Sequence, residues 1–573
     1  MRRAWVLSAA GATICASVLC VSAVPQSRPA AQSLAERMPR GALLYLEARD
    51  FSGLLREWNA SQVKQQWVKS DNYEVFSRSR LFFRLAEAQK QFALTAGVPP
   101  DMNFLVQAAG GESGLALYDI GKLEFLYVTK LPSGRSMQSA LWEARRGFET
   151  RSAGGTPFYA HTNQESGRTV AFAFTGDYLL LATREDLLAS SLELLSGAQQ
   201  DTIAGEKWFS EATASAGEPG ELRLVLNMEK IAAAPHFRSY WIQQNVSDMR
   251  RYAAAISDLR REENVWREER VLLPKPEEQS PVGETSESER EVASLLRLVP
   301  GDAGMYRAFA SPSVEQTMTL LDEDIFRPHA AQVSTSKIAP TVNLAGGEVG
   351  SAADLETRID QPPEAQEAAD ESNTLLRGAI ARIGVQSALE IRSARLDAAS
   401  SFVEISSAVV LRGATDWDAN ALRDAVAEAA QDMAATRGAN ASWQPRGGIS
   451  SSFFELQGFF SLDIGVRGKT LILSNDDSTV SAILAKLDAK PTDSTAAYAA
   501  GFNHSLNREA LFRLSEALDH SSDSQTQGGS EPAFFAGNIA SLSRVLSGVN
   551  SVSIIESKSG GRVKQIVTYR WAP

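Results

Sequence analysis

The stretch Gly176–Asp186 recurs in pattern at Gly468–Ser478. Each copy reads as a Gly turn, a three-residue apolar run, a polar break and then a helix. Leu192 and Leu195 in the first helix fall where Leu484 and Leu487 fall in the second. The openings of the two halves also correspond. Met38-Pro39-Arg40-Gly41 leads into the apolar run Ala42–Ala48, and Val299-Pro300-Gly301-Asp302 leads into Ala303–Phe309, which pairs Tyr45 with Tyr306. Such a repetition constrains the chain to a tandem architecture rather than a single-site enzyme fold.

Runs bounded by turn residues predict strands at Ser113–Ile120, Lys122–Thr129, Thr156–His161, Thr169–Phe174, Tyr178–Ala182 and Leu222–Asn227. Strands are predicted in the second half at Leu389–Arg395, Val403–Leu411, Ser452–Leu456, Ser461–Val466 and Thr470–Ser474. Helical spacing follows each opening run and recurs near Met137–Phe148, Arg184–Leu195 and Asp418–Met433. From Phe237 to Val271, an apolar stripe (Ile242, Val246, Met249, Ala253, Ile256) among Arg and Glu residues reads as one long amphipathic helix. The expected fold is therefore α+β. It has two related halves, each a largely antiparallel sheet with helices packed on one face, plus a long connecting helix. The boundaries read as 1–23, a signal peptide; 24–37, a flexible leader; 38–273, the first half; 274–293, a disordered linker; and 294–573, the second half, with a disordered insertion at about 329–372.

Arg2 and Arg3, the charge-free run Trp5–Val21 and the small residues Val21-Ser22-Ala23 have the form of a secretory signal cleaved after Ala23. An uncleaved membrane anchor is the alternative, because the run is at the short limit for a span. Cys20 as a lipoprotein cysteine is disfavoured by Leu19, and the twin-arginine resemblance of Arg2-Arg3 is faint. Both cysteines, Cys15 and Cys20, lie in this segment. A cleaved chain would be cysteine-free, which excludes disulfides, thiolate metal sites and cysteine nucleophiles. The formal charge of −12 disfavours nucleic acid and anionic lipid as partners and fits a periplasmic or secreted protein.

Motifs with chemistry are sparse. Gly465-Val466-Arg467-Gly468-Lys469-Thr470 is a fragment of a phosphate loop, but Asp463 stands where the first Gly is needed and a strand follows. It reads as a hairpin turn. His161, His236, His329, His504 and His520 are scattered without zinc spacing. Asp322-Glu323-Asp324 and Asp476-Asp477 lack a calcium loop, and the second pair fits a helix start. Gly110–Gly114 is not a nucleophile elbow, and no dinucleotide fingerprint is present. No catalytic, cofactor-binding or metal residues are assigned, and no cofactor is expected. The aromatic stretch Trp58, Trp67, Tyr73, Phe76, Phe82 and Phe83 reads as core packing, with an apolar groove as the sharper alternative. Phe453, Phe454, Phe459 and Phe460 cluster similarly in the second half.

The opening Pro39…Ala42–Glu47, its later echo, the export signal and the hairpin–helix units together resemble exported bacterial proteins of a domain-of-unknown-function family with tandem α+β units. The resemblance rests on packing motifs and implies no catalytic residues. Three function classes remain open. The first is a non-enzymatic envelope protein that binds a partner protein or envelope component. The second is a carrier of a lipid or other apolar ligand, favoured by a continuous apolar cavity. The third is a hydrolase whose site is not visible in sequence.

Overall fold

The computed structural model describes residues 33–70, 73, 77–78, 80–234, 249–278, 287–326, 374–396, 403–430, 442–445, 453–457, 462–488, 495–510 and 548–572. The expected signal peptide, most of the leader, residues 279–286 of the expected linker and the insertion at about 329–372 lie outside them; the rest of the linker, expected to be disordered, holds a 3-10 turn at Pro276–Glu278 and the start of a helix at Glu287. The chain divides into two units: residues 1–283 with 537–573, and residues 284–536.

Unit 1 begins with a 3-10 turn, Leu34–Arg37, whose Leu34 and Ala35 are buried. Strand β1 (Leu44–Ala48) leads to helices α1 (Phe51–Ala60), α2 (Gln62–Val68), α3 (Arg80–Ala96) and α4 (Met102–Ala108). The hairpin β2 (Ser113–Asp119) and β3 (Glu124–Lys130) follows, then short helices α5 (Ser133–Ser136) and α6 (Ala140–Ala144). Four strands come next: β4 (Glu149–Ala153), β5 (Thr156–Thr162), β6 (Thr169–Thr175) and β7 (Tyr178–Ala182). Helices α7 (Glu185–Leu195) and α8 (Lys207–Ser215), strand β8 (Leu222–Asn227), helix α9 (Met228–Ala233) and the hairpin β9 (Tyr252–Glu262) and β10 (Val265–Pro274) complete this stretch.

Unit 2 contains α10 (Glu287–Leu296), β11 (Met305–Ala310), α11 (Val314–Leu321), α12 (Thr374–Ile383), β12 (Val385–Leu396), β13 (Val403–Gly413) and α13 (Ala419–Ala429). It continues with β14 (Ser442–Pro445), β15 (Phe453–Gln457), β16 (Leu462–Arg467), β17 (Thr470–Ser474), α14 (Asp477–Lys486) and β18 (Tyr498–Asn503). Its strands pair in the order β14-β15-β16-β17-β13-β12-β11-β18. The last hairpin, β19 (Val549–Ser559) and β20 (Arg562–Trp571), returns to unit 1, where β20 pairs with β10 from Val265↔Arg570 to Leu272↔Val563. Among its described residues unit 1 thus holds twelve strands in the order β4-β5-β6-β7-β3-β2-β1-β8-β9-β10-β20-β19. All these pairings are antiparallel and the sheet is open.

This architecture corrects the expected one in three respects. First, helices cover both faces of the sheet. In unit 1, Leu180 and Ala182 pack with Leu188, Leu192 and Phe209 of α7 and α8, while Leu179 and Leu181 pack with Phe104 and Leu141 of α4 and α6. Alternate residues of one strand therefore serve two cores. Unit 2 is built likewise: Val409 and Leu411 face α11–α13, and Ala408 and Val410 face α10 and α14.

Second, the described part of the expected connecting helix is the β9–β10 hairpin, with a tight turn at Glu263-Asn264. The Arg and Glu residues that mimic helical spacing are cross-strand neighbours, including Arg260–Glu269 at 3.0 Å. Residues 235–248 lie outside the described set. Third, the sheets do not divide at the linker, because the final hairpin completes the first unit. Trp571 packs tilted against Trp266 with ring centroids 4.4 Å apart, inside a core with Leu54, Leu259, Val567 and Tyr569.

Candidate apolar trough

The central strands of unit 1 bring leucines into rows. Leu44 and Leu46 alternate with buried Tyr45 along β1, so they share the face opposite Tyr45. The register sets Leu46 between Leu115 of β2 and Leu224 of β8, and Leu44 between Leu117 and Leu226. The row through Leu46 continues in both directions. On one side come Tyr127 and Leu181; on the other come Ser257, Arg270 and Gln565. This row crosses eight strands, on the order of 30 Å at the usual strand spacing.

The leucines at its centre are only half-buried, although they lie in the middle of a sheet. They form the floor of a trough of about 1040 Å³. Above the floor stand Phe51, Leu54, Leu55 and Trp58 of α1, Leu85 and Phe92 of α3, and Phe104 and Leu105 of α4. Met228, Ile231 and Met249 line the far side.

Local chemistry fixes the roof. Asp50 caps α1 by accepting from the Gly53 amide at 2.9 Å, and Asp101 caps α4 by accepting from the Phe104 amide at 2.9 Å. Phe92 of α3 meets Phe104 edge to face at 5.5 Å. Gly110 lets the chain turn from α4 into β2, since a Cβ there would overlap the Lys130 carbonyl. The Tyr127 hydroxyl donates to the Ala108 carbonyl at 3.1 Å, tying the floor to α4, and burial raises its pKa.

The polar side chains at the β9–β10–β20 end are engaged with one another. Arg270 grips Glu268 with two bonds of 2.6 Å, and the Ser257 hydroxyl donates to Glu268 at 2.7 Å. Burial pushes the Glu268 carboxyl up, but Arg270, with the Ser257 and Tyr569 hydroxyls, outweighs burial and holds it below the usual carboxylate range. Gln565 donates to Glu556 at 2.9 Å. This end is a polar stop on an apolar channel.

Of the six aromatics proposed as a groove, five are described, and among these only Trp58 lines the trough. Trp67, Tyr73 and Phe82 make a separate edge-to-face chain at 6.0 and 6.3 Å, and Phe83 is exposed. Phe76 lies outside the described residues. The floor leucines were not singled out in sequence, though the Leu-x-Leu spacing of Leu44/Leu46, Leu115/Leu117 and Leu224/Leu226 is the signal that places them on one face.

Gly468-Lys469 is the turn between β16 and β17, with Gly468 at φ +55° and the Lys469 carbonyl accepting from Trp417 Nε1 at 2.9 Å. His161 bonds the Thr95 carbonyl at 2.6 Å, and His504 adjoins Arg508 at 3.2 Å. His236, His329 and His520 lie outside the described residues. Asp324 is buried in an ion pair with Arg392, and Asp476 caps α14. Among the described residues, no group of three or more His, Cys, Asp or Glu side chains is placed to hold a metal ion.

No protein-family model and no curated protein matches the chain. Among solved structures, crystal forms IV and III of TP0453 align at 11% identity, covering 43% and 47% of this chain and 81% and 87% of theirs. Their TM-scores of 0.24 and 0.23 are too low for the likeness to bear on fold or function.

Proposed function

We propose that this protein binds a long apolar ligand of the lipid class in the trough of unit 1. The observation that carries the reading is the set of half-buried leucines across β2, β1 and β8, which an ordinary core would cover. Each leaves on the order of 1 kcal/mol of burial unrealised, and an acyl chain laid along the row would recover it. The trough volume is at the upper end for small-molecule sites. The self-paired polar groups at its end favour retention of a ligand over reaction with it. The apolar N-terminal segment supports an exported protein, so the proposed setting is the cell envelope.

The test is native mass spectrometry of Val24–Pro573 purified without detergent, followed by solvent extraction. A reproducible extra mass of lipid size, released by extraction, is expected. Leu46→Trp and Leu224→Trp, which fill the trough, should abolish it while the chain still unfolds cooperatively. A clean mass in the wild type, together with no uptake of a fluorescent fatty-acyl probe, rules the reading out.

A second reading, a binding surface for a partner protein, is favoured by the edge strand β4, which pairs with β5 alone among the described strands. Addition of a partner strand there would leave the extracted mass unchanged and appear as a larger assembly.

A further inference from the structure

The exposed apolar side chains are not scattered. Of the ten exposed large hydrophobic residues among the described ones, seven lie between residues 68 and 137: Val68, Phe83, Leu85, Leu94, Leu105, Val106 and Met137. They lie on α2, α3 and α4 or in the turn at the end of α5. Phe83 and Leu94 are eleven residues apart on α3, close to three full turns, so they project from one face. Leu85 and Leu105 belong to both sets, since each lines the trough and is exposed. Arg135 reaches the Val106 carbonyl at 3.4 Å, which sets Met137 beside α4.

Charge points to the occupant. The chain carries a formal −12, yet residues 62–108 and 133–136 hold seven Lys and Arg against four Asp and Glu. A basic, apolar helical layer on an acidic protein matches an anionic lipid surface, where apolar side chains enter the interface and cations meet head groups. Exposed apolar patches of this kind mark contact sites. We infer that the α2–α5 layer of unit 1 docks on an anionic lipid bilayer through Phe83, Leu94 and their neighbours. This refines the whole-chain expectation against anionic lipid, which averaged over a local excess of positive charge. The inference concerns a second surface and stands whether or not the trough carries lipid. No helix among the described residues is long and apolar enough to cross a membrane, and the docking is interfacial.

The experiment is vesicle flotation of Val24–Pro573, which contains every described residue. The vesicles are phosphatidylcholine alone or phosphatidylcholine mixed with phosphatidylglycerol. Expected are binding to the mixed vesicles, weakening as salt is raised, and a loss of at least about tenfold in F83D and L94D. Both positions are exposed, and unchanged unfolding temperatures would show that the variants are folded. Leu46→Trp should float like the wild type, which separates this outcome from failure of the ligand reading. The inference is overturned by absence of binding to the mixed vesicles or by binding that F83D and L94D leave unchanged. It is overturned too if gel filtration shows self-association that those variants abolish, which would assign the surface to a second copy.

Discussion

Arg223 and Asp258 form the most enclosed ion pair among the described residues of unit 1, with both contacts at 2.8 Å. The Gly220 amide and the Gly217 carbonyl complete their hydrogen bonding at 2.9 and 2.8 Å. Removing one partner strands a buried charge. Asp258→Ala should therefore cost roughly 3–5 kcal/mol in denaturant unfolding; a loss under about 1 kcal/mol would show the pair to be dispensable.

In unit 2, Asp324 lies beside Glu390, Arg392 and Arg307. Burial and the Glu390 charge push its carboxyl up to about 7, against the pull of the two arginines. An unfolded Asp titrates near 3.8. Between those values the folded chain holds a proton that the unfolded chain does not, so stability falls as pH rises through this window. The wild type should lose melting temperature relative to D324N between about pH 5 and about pH 8. A constant difference would refute this.

At the scale of elements, the strands around Gly turns were legible because Gly121, Gly176 and Gly468 separate runs of strand-forming residues, and β2–β3, β6–β7 and β16–β17 pair across them. The β9–β10 hairpin was not legible. Its turn, Glu263-Asn264, lacks glycine, and its alanines and alternating charges satisfy helical and strand periods alike. The trough was hidden for a different reason. Leu-x-Leu along β1 announces an apolar face, but only the placement of α1, α3 and α4 decides whether that face is covered. The final hairpin offers the test at this scale. Trp571→Ala removes the ring packed against Trp266 and should destabilise unit 1 by roughly 3–5 kcal/mol in denaturant unfolding. A change near zero would mean that β19–β20 packs on β10 without contributing to its stability.

At the scale of the whole molecule, the first unit is written in two pieces, residues 1–283 and 537–573, with the second unit between them. A chain made from its N-terminus delivers β10 long before β20, the strand that pairs along it. Through that interval the edge of β10 is bare and Trp266 lacks its cover, the condition in which strands recruit the wrong neighbour. Unit 2, continuous in sequence, meets no such delay. The order of assembly is thereby inverted relative to the order of synthesis: the middle of the polypeptide closes first, and the beginning waits for the end. That wait defines a period in which a holding chaperone has a specific client surface, and it makes the β19–β20 hairpin a checkpoint for maturation of the first unit.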